Sequence, residues 1–370
     1  MSAPTLRERL AALTADLVRF PTVATNPAAI AECLAWVRGW TTDRLPEARM
    51  REFVSNGSSS LLCWLGDAPP RVLLCGHLDV VPAASDDAFL AKRLPGNRLA
   101  GRGVADMKGP IAALLDLFTS APQPGLGLLL TTDEEDGGMH GTGYVLGQLP
   151  WRPDVALLPD GGANMRLVAE QKGALRLRLT AEGTAAHGAR PWLGVNALEQ
   201  LYAGYRALLR AYPPPRAEDD WRVSIALTQV SDGGNAGNSI PAHAEATLDI
   251  RYPATGPDAF AVLLPDLQRR LRRYAISAEV TMHAPPFLLD TASPYVTHVQ
   301  AAASRVTGGP LPLCREAGAS DARFFAVAGV PTLIFQPVCS GWHGPDEQLD
   351  LTSLATFHAL CAAFIHSALV

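Results

Sequence analysis

The chain has 370 residues, 48% of them hydrophobic and 18% charged, with a formal net charge of -5. That length exceeds one typical core and implies two domains, and the composition is that of a soluble globular protein. The acidic balance excludes nucleic acid or an anionic membrane surface as the main partner.

Taken from the N-terminus, Leu6, Leu10, Leu13 and Leu17 recur at helical spacing, with Ser2 or Thr5 near the cap. This stretch lacks the apolar core and cleavage site of a secretory leader, and no run reads as long and apolar enough to span a bilayer. Six cysteines (Cys33, Cys63, Cys75, Cys314, Cys339, Cys361) are scattered without a C-x-x-C pair. They read as reduced, mostly buried thiols of a cytoplasmic protein. Phe20-Pro21-Thr22-Val23 predicts a turn, and Asn26-Pro27 caps a helix reaching about Trp40. Apolar runs at Ser60–Leu65 and Val72–Cys75 predict strands. The second ends at Gly76 and places His77 and Asp79 two residues apart. Past the carboxyl end of a buried strand, that pair is suited to an oriented metal ligand, the carboxylate holding the proton on the second ring nitrogen. A loop histidine beside a capping aspartate has the same spelling.

Asp86 to Arg98 reads as polar and irregular. It leads into LAGRGVADMKG (Leu99 to Gly109), which opens onto an apolar helix at Ile111–Phe118. These glycines fit neither the P-loop nor the dinucleotide fingerprint. They let the backbone pass close to an ion, with Asp106 pointing into the same site as His77. The buried strand Leu126–Thr132 ends in Asp133-Glu134-Glu135-Asp136-Gly137-Gly138. Four adjacent acids make either a solvated turn or a lining over a cation. Val155–Leu158 ends in Pro159-Asp160-Gly161-Gly162. Apolar runs ending in His/Asp, Asp, Glu/Glu and Asp have the shape of a metal centre on the carboxyl edge of an α/β sheet.

From Lys172 the pattern changes. Leu175, Leu177 and Leu179 alternate with Arg176, Arg178 and Thr180, as in a half-exposed antiparallel strand. A loop with His187 follows, then a helix from about Pro191 to Tyr212 and strands near Val223–Val230 and Glu245–Tyr252. A helix over about Pro257–Tyr274 and a strand at Ile276–His283 complete the order β-α-β-β-α-β, a ferredoxin-like split unit. The predicted organisation is an α/β domain of residues 1–172 and 284–370 carrying an inserted α+β domain of residues 173–283. A helix at Pro294–Thr307, a strand at Val330–Gln336 and an amphipathic helix at Leu351–Leu369 finish the first domain.

The stretches GHLDVVP, GRGVADMKG, TTDEE, LPD, HGARPW, GNSIPA, DIR, ASDARF and WHGPDE occur in this order along nearly the whole chain. Together they resemble the zinc-dependent amidohydrolase and exopeptidase family, which includes acetylornithine deacetylase, succinyl-diaminopimelate desuccinylase, aminoacylases, glutamate carboxypeptidase and several dipeptidases. The resemblance implies a mixed-sheet zinc-exopeptidase-like catalytic domain and a lid that also forms a homodimer surface. It implies two Zn²⁺ ions, His77 and Asp160 on one, Glu135 and His343 on the other, with Asp106 bridging and Asp79 orienting His77. Two such ions against three carboxylates and one hydroxide come out near neutral, which keeps the hydroxide nucleophilic. Co²⁺ or Mn²⁺ could replace zinc, since N/O ligands discriminate weakly.

By the same resemblance Glu134 is the general base that takes a proton from the bridging water and passes it to the leaving amine. A purely metal-binding role for both glutamates is the alternative. His187 matches the lid histidine that donates to the developing oxyanion, commonly across the dimer interface. Asn238 matches a lid residue contacting the substrate amide or carboxylate. Arg251 and Arg323 are candidates to clamp a substrate carboxylate, or else structural ion-pair arginines. Gly318, Ala319 and Ser320 offer backbone donors nearby. The remaining histidines (His140, His243, His283, His298, His358, His366) read as surface or packing residues. Asp160 stands where many of the family's deacetylases and carboxypeptidases carry glutamate, and it can still bind zinc.

The expected activity is therefore hydrolysis of the amide bond of N-acyl amino acids, with a dipeptidase or carboxypeptidase of short peptides as the alternative. A non-catalytic dimeric relative would have lost Glu134 or a ligand, and all are present. A metallophosphoesterase would open on Asp-x-His, the reverse of the order here.

Overall fold

In the computed structural model, which describes residues 4–217, 219–232, 236–254 and 259–370, the run Val72–His77 is a strand buried along its whole length. It lies inside a six-stranded sheet of order Arg49–Ser55, Ser58–Trp64, Leu126–Thr131, Val72–His77, Val155–Leu157, Thr332–Leu333. The first two strands form a hairpin closed by Asn56 and Gly57 at φ 47° and 84°, the left-handed pair that a tight two-residue turn requires. From Leu126–Thr131 onward the strands are parallel. Strands covered on both faces need apolar residues at every position, hence the unbroken leucine runs. Running the same way in neighbouring positions, they deliver His77, the acidic turn and Asp160 to one edge.

A second sheet of short antiparallel strands has the order Cys339–Ser340, Gln348–Asp350, Arg98–Ala100, Lys92–Leu94. Its register pairs Ala100 with Gln348, so the loop leading to Asp106 lies beside the turn bearing His343. The region expected to be irregular between Asp86 and Arg98 thus supplies a strand pair, closed at Gly96-Asn97. Val330–Gln336 was expected to be one strand, yet only Thr332–Leu333 pairs in the main sheet. Beyond it the backbone turns to another segment, Ile334 and Gln336 accepting from Val168 and Met165.

Local signals set the helix ends. Thr5 and Glu8 form a reciprocal capping box at Leu6–Val18, with Thr5 N donating to Glu8 Oε2 at 2.7 Å; Ser2 lies outside the described residues. Asn26 caps Pro27–Arg44. The closing helix Leu351–Leu369 buries Leu354, Phe357, Leu360 and Phe364 and packs against Pro294–Thr307, Lys108–Ser120 and Leu6–Val18. Against expectation it has the length and apolar content to cross a membrane, alone among the described residues. Here its apolar face is occupied by core contacts.

The chain packs as two compact units. One comprises the chain to Ala169 with residues 289–315 and 320–370, the other residues 170–288 and 316–319. In the second, strands Ser224–Ser231, His243–Tyr252, Gly173–Glu182 and Ile276–Ala284 form an antiparallel sheet in that order. Helices Ala197–Ala211 and Ala259–Arg272 join its core, placing Leu201, Leu208, Leu263, Leu267 and Leu271 with Leu175, Leu177, Leu179, Leu248 and Ile250. The first helix starts later than Pro191 because Asn196 caps it, accepting from Leu198 N and Glu199 N, while Pro191–Leu193 makes a separate short turn. The expected start of the second helix at Pro257 lies outside the described residues.

Two glycine-to-alanine substitutions test this packing with opposite signs. Gly39 is exposed on a helix with nothing within 4 Å of an added Cβ, so Gly39→Ala stabilises by about 0.5–1 kcal/mol. At Gly109 a Cβ would run into Val104 O and Leu349 Cδ2, so Gly109→Ala destabilises by about 1–3 kcal/mol despite the helical preference of alanine. Urea unfolding reads both; equal shifts would contradict the packing around Gly109.

Candidate metal centre

Asp106 follows a glycine turn and precedes the helix Lys108–Ser120. Gly103 sits at φ 85°, with Val80 Cγ1 2.8 Å from where a Cβ would stand, so a glycine is needed for the backbone to pass the strand end bearing His77. The Asp106 carboxylate lies between two imidazoles, Oδ1 3.1 Å from His77 Nε2 and Oδ2 3.2 Å from His343 Nε2. His343 Nε2 is also 3.3 Å from Glu135 Oε1. Two donor groups result, His77 with Asp106 and Asp160, and Asp106 with Glu135 and His343, the ligand atoms in each within 4.8 Å of one another.

These separations suit metal ions. Donors about 2.0–2.1 Å from a tetrahedral ion stand about 3.3 Å apart. Asp160 Oδ2 is buried and accepts no hydrogen bond, a costly state for a carboxylate oxygen unless a cation lies against it, and Glu135 Oε1 has only the His343 ring nitrogen beside it. The donors therefore fit divalent cations of the kind that imidazole and carboxylate bind.

The supporting contacts differ in one detail from the expected arrangement. His77 Nδ1 is 3.0 Å from the backbone oxygen of Asp79 and 3.5 Å from its carboxylate. With Nδ1 donating to that carbonyl, Nε2 is left to face Asp106. The Asp79 carboxylate accepts instead from Glu135 N at 2.9 Å, tying one strand end to the next. The four acids also part company. Asp133 turns inward and accepts from His140 N and Gly141 N at 2.8 and 2.9 Å, whereas Asp136 is exposed.

Burial governs the electrostatics. It pushes the Glu134 carboxyl well above the usual range, helped by the charge of Asp160. Burial, then the charge of Asp106, raises Asp160 to about 8. Hydrogen bonds to Asp106 and Glu135 raise His343 to about 10. Burial opposes a charge on His77, yet hydrogen bonds to Asp106 and Asp79 hold it well above the ordinary imidazole value.

Ser320 and Arg323 are buried in the same unit. The Arg323 guanidinium donates to Gly137 O at 2.5 Å and Ser320 O at 3.2 Å, so it braces the acidic turn. His187, Asn238, Arg251 and Gly318 belong to the second unit. There Ala186–His187 pairs with Ser239–Ile240 and Gly188 N donates to Asn238 O at 2.7 Å, which brings exposed His187 and Asn238 together. Arg251 pairs with Asp249 at 2.8 Å. Of the other histidines, His140 contacts Ser55 Oγ at 3.0 Å and His358 contacts Asp116 at 3.1 Å. Sequence reasoning missed the buried pair Arg102–Glu347. Both residues lie in quoted motifs, but nothing in the letters signals a charge facing inward.

Protons and metal ions compete for these donors, because groups raised above neutrality hold protons until a cation displaces them. Metal uptake at pH 7 should therefore release protons, and affinity should climb with pH, most steeply below about 8 and on to about 10, where Asp160 and His343 have lost their protons. Calorimetric titration with Zn²⁺ in buffers of different ionisation heat measures the release; none at pH 7 would contradict the raised values of His343 and Asp160.

Residues 73–367 match the family described as peptidase family M20/M25/M40. A succinyl-diaminopimelate desuccinylase of Acidiphilium cryptum is 32% identical over 311 residues, 80% of this chain and 82% of that protein. One of Rhodospirillum centenum is 30% identical over 373 residues, 94% of each chain. The crystal structure of aminopeptidase PepT from Bacillus cereus matches with a TM-score of 0.77 over 98% of this chain and 99% of that one, and at 17% identity this shows the shared mixed α/β fold. The chain belongs to peptidase family M20/M25/M40 and is a hydrolase of amide bonds.

Proposed function

We propose that the protein hydrolyses the amide bond of N-acyl amino acids with two Zn²⁺ ions, one held by His77, Asp106 and Asp160, the other by Asp106, Glu135 and His343. The observation that carries this reading is the single carboxylate of Asp106 between two imidazoles, with Asp160 and Glu135 each completing a donor group around it. Such ions supply charge that polarises the scissile carbonyl and lowers the pKa of an attacking water. Co²⁺ or Mn²⁺ can serve in the same ligands. N-succinyl substrates come first, because relatives 30–32% identical over most of their length carry the name desuccinylase. A dipeptidase or carboxypeptidase of the same family is the alternative, and Asp160, standing where many deacetylases and carboxypeptidases carry glutamate, ties the chain to neither subgroup.

Glu134 is the proton carrier. Burial and the charge of Asp160 raise its pKa in the metal-free protein; with cations on the neighbouring ligands the carboxylate would ionise and could take a proton from water and return it to the leaving amine. Asp79 positions His77 through its carbonyl and Glu135 through its carboxylate. The second unit acts as a lid and homodimer surface. Trp192 and Leu193, which follow His187 closely in sequence, are 76% and 61% exposed, an apolar exposure that suits a second copy of the chain. His187 donates to the developing oxyanion, and Asn238 with the backbone of Gly318 and Ser320 receives the substrate. Arg251 and Arg323 would clamp a carboxylate only by exchanging Asp249 and Gly137 O, their present partners.

Amine release from N-acetyl, N-succinyl and dipeptide substrates, with chelator-stripped protein and added Zn²⁺, tests the reading. Zinc-dependent release from acyl amino acids is the expected outcome. Release from dipeptides alone would move the protein to the peptidase branch, and none at all, with zinc bound, to a non-catalytic relative. Glu134→Ala should lower kcat by about 10²- to 10⁴-fold with metal content unchanged; near-normal turnover would remove Glu134 from the role. Sedimentation under assay conditions addresses His187, since a fully active monomer is incompatible with donation across a dimer.

A further inference from the structure

Behind the ligands lies a charged pair in the protein interior. Arg102 and Glu347 are 6% and 2% exposed, and Arg102 Nη1 donates to Glu347 Oε2 at 2.6 Å. The other ends of both side chains reach the loops of the centre. Glu347 Oε1 accepts from Ala105 N at 3.0 Å and from Asp106 N at 3.2 Å. Arg102 Nη2 donates to His343 O at 3.0 Å. Gly101 N in turn donates to the backbone oxygen of Glu347 at 3.2 Å, continuing the register in which Ala100 faces Gln348.

We infer that Arg102 and Glu347 are positioning residues that set Asp106 and His343 relative to each other, and so fix the span of the second cation site. The inference rests on the two-ion reading above. Stability alone gives little reason for such a pair, because a buried ion pair is commonly no better than apolar residues of similar volume. Its geometry does something an apolar pair cannot. A carboxylate oxygen accepting from two successive N–H groups fixes the peptide planes on which Asp106 is mounted. His343 sits at φ 60°, a left-handed backbone that a residue with a Cβ keeps only when its surroundings hold it. The guanidinium on its carbonyl is such a hold. Because Asp106 serves both donor groups and His343 only the second, the brace reaches the second site through two ligands and the first through one.

The test is a stepwise Co²⁺ titration of the full, chelator-stripped chain, read by visible absorption with a competing chelator. The variants are Glu347→Gln, Arg102→Lys, and the double variant Arg102→Met with Glu347→Met, which leaves no unpaired charge and guards against a single variant that fails to fold. Lysine keeps the charge, but its one nitrogen cannot serve Glu347 and His343 together as a guanidinium fork does. Each folded variant should bind one of its two equivalents about 10- to 100-fold more weakly, with an altered absorption band, and the other with a smaller loss. Wild-type affinity and spectrum for both equivalents would overturn the inference, even in a variant that melts earlier. Fewer than two equivalents bound by the wild type would instead remove the two-ion reading.

Discussion

Asp106 offers one carboxylate oxygen to His77 and the other to His343, at 3.1 and 3.2 Å, and the surrounding structure is arranged to hold that carboxylate still. It stands among Glu134, Glu135 and Asp160, none of them exposed. Two like charges 4 Å apart repel by about 4 kcal/mol at an effective dielectric of 20. Such a cluster cannot be fully ionised and empty of cations at once. In the metal-free protein protons on the two imidazoles and on Glu134 and Asp160 relieve the repulsion. Divalent cations are the other solution, and Glu135 and Asp160 each complete a donor group that could hold one.

That arrangement depends on two kinds of sheet. The parallel strands bring three ligand-bearing ends together because neighbouring strands that run the same way finish at the same edge. Asp106 and His343 are 237 residues apart, and no strand of the parallel sheet delivers either. The small antiparallel sheet does so by pairing Arg98–Ala100 with Gln348–Asp350. The inward-facing pair Arg102–Glu347 continues that register towards the ligands. A one-residue slip there would reverse which side chains face inward and separate the two loops.

The second unit has a different logic. Its antiparallel sheet buries one face against two helices and leaves the other polar, so its strands alternate where those of the first unit do not. The short pairing of Ala186–His187 with Ser239–Ile240 lies apart from that sheet. It joins two motifs that lie about fifty residues apart in the chain.

Periodicity by itself determined the broad architecture. Short unbroken apolar runs bounded by turn residues, such as Val72–Cys75, read as strands covered on both faces, and the alternation at Leu175–Thr180 reads as a half-exposed one. The residues after those runs, His77, Asp106, the acidic turn and Asp160, outlined a possible metal edge, and the resemblance of the ordered motifs singled out Glu135 and His343 as further candidate ligands. The letters could not say which of four adjacent acids turns inward, that the carbonyl of Asp79 rather than its carboxylate lies nearer the His77 ring, or that Arg323 braces the acidic turn. They also left Arg102 and Glu347 as two ordinary charges. These matters were decided by tertiary structure, because hydrogen bonding and burial belong to pairs of groups from distant parts of the chain, whereas periodicity and turn chemistry are properties of neighbours along it.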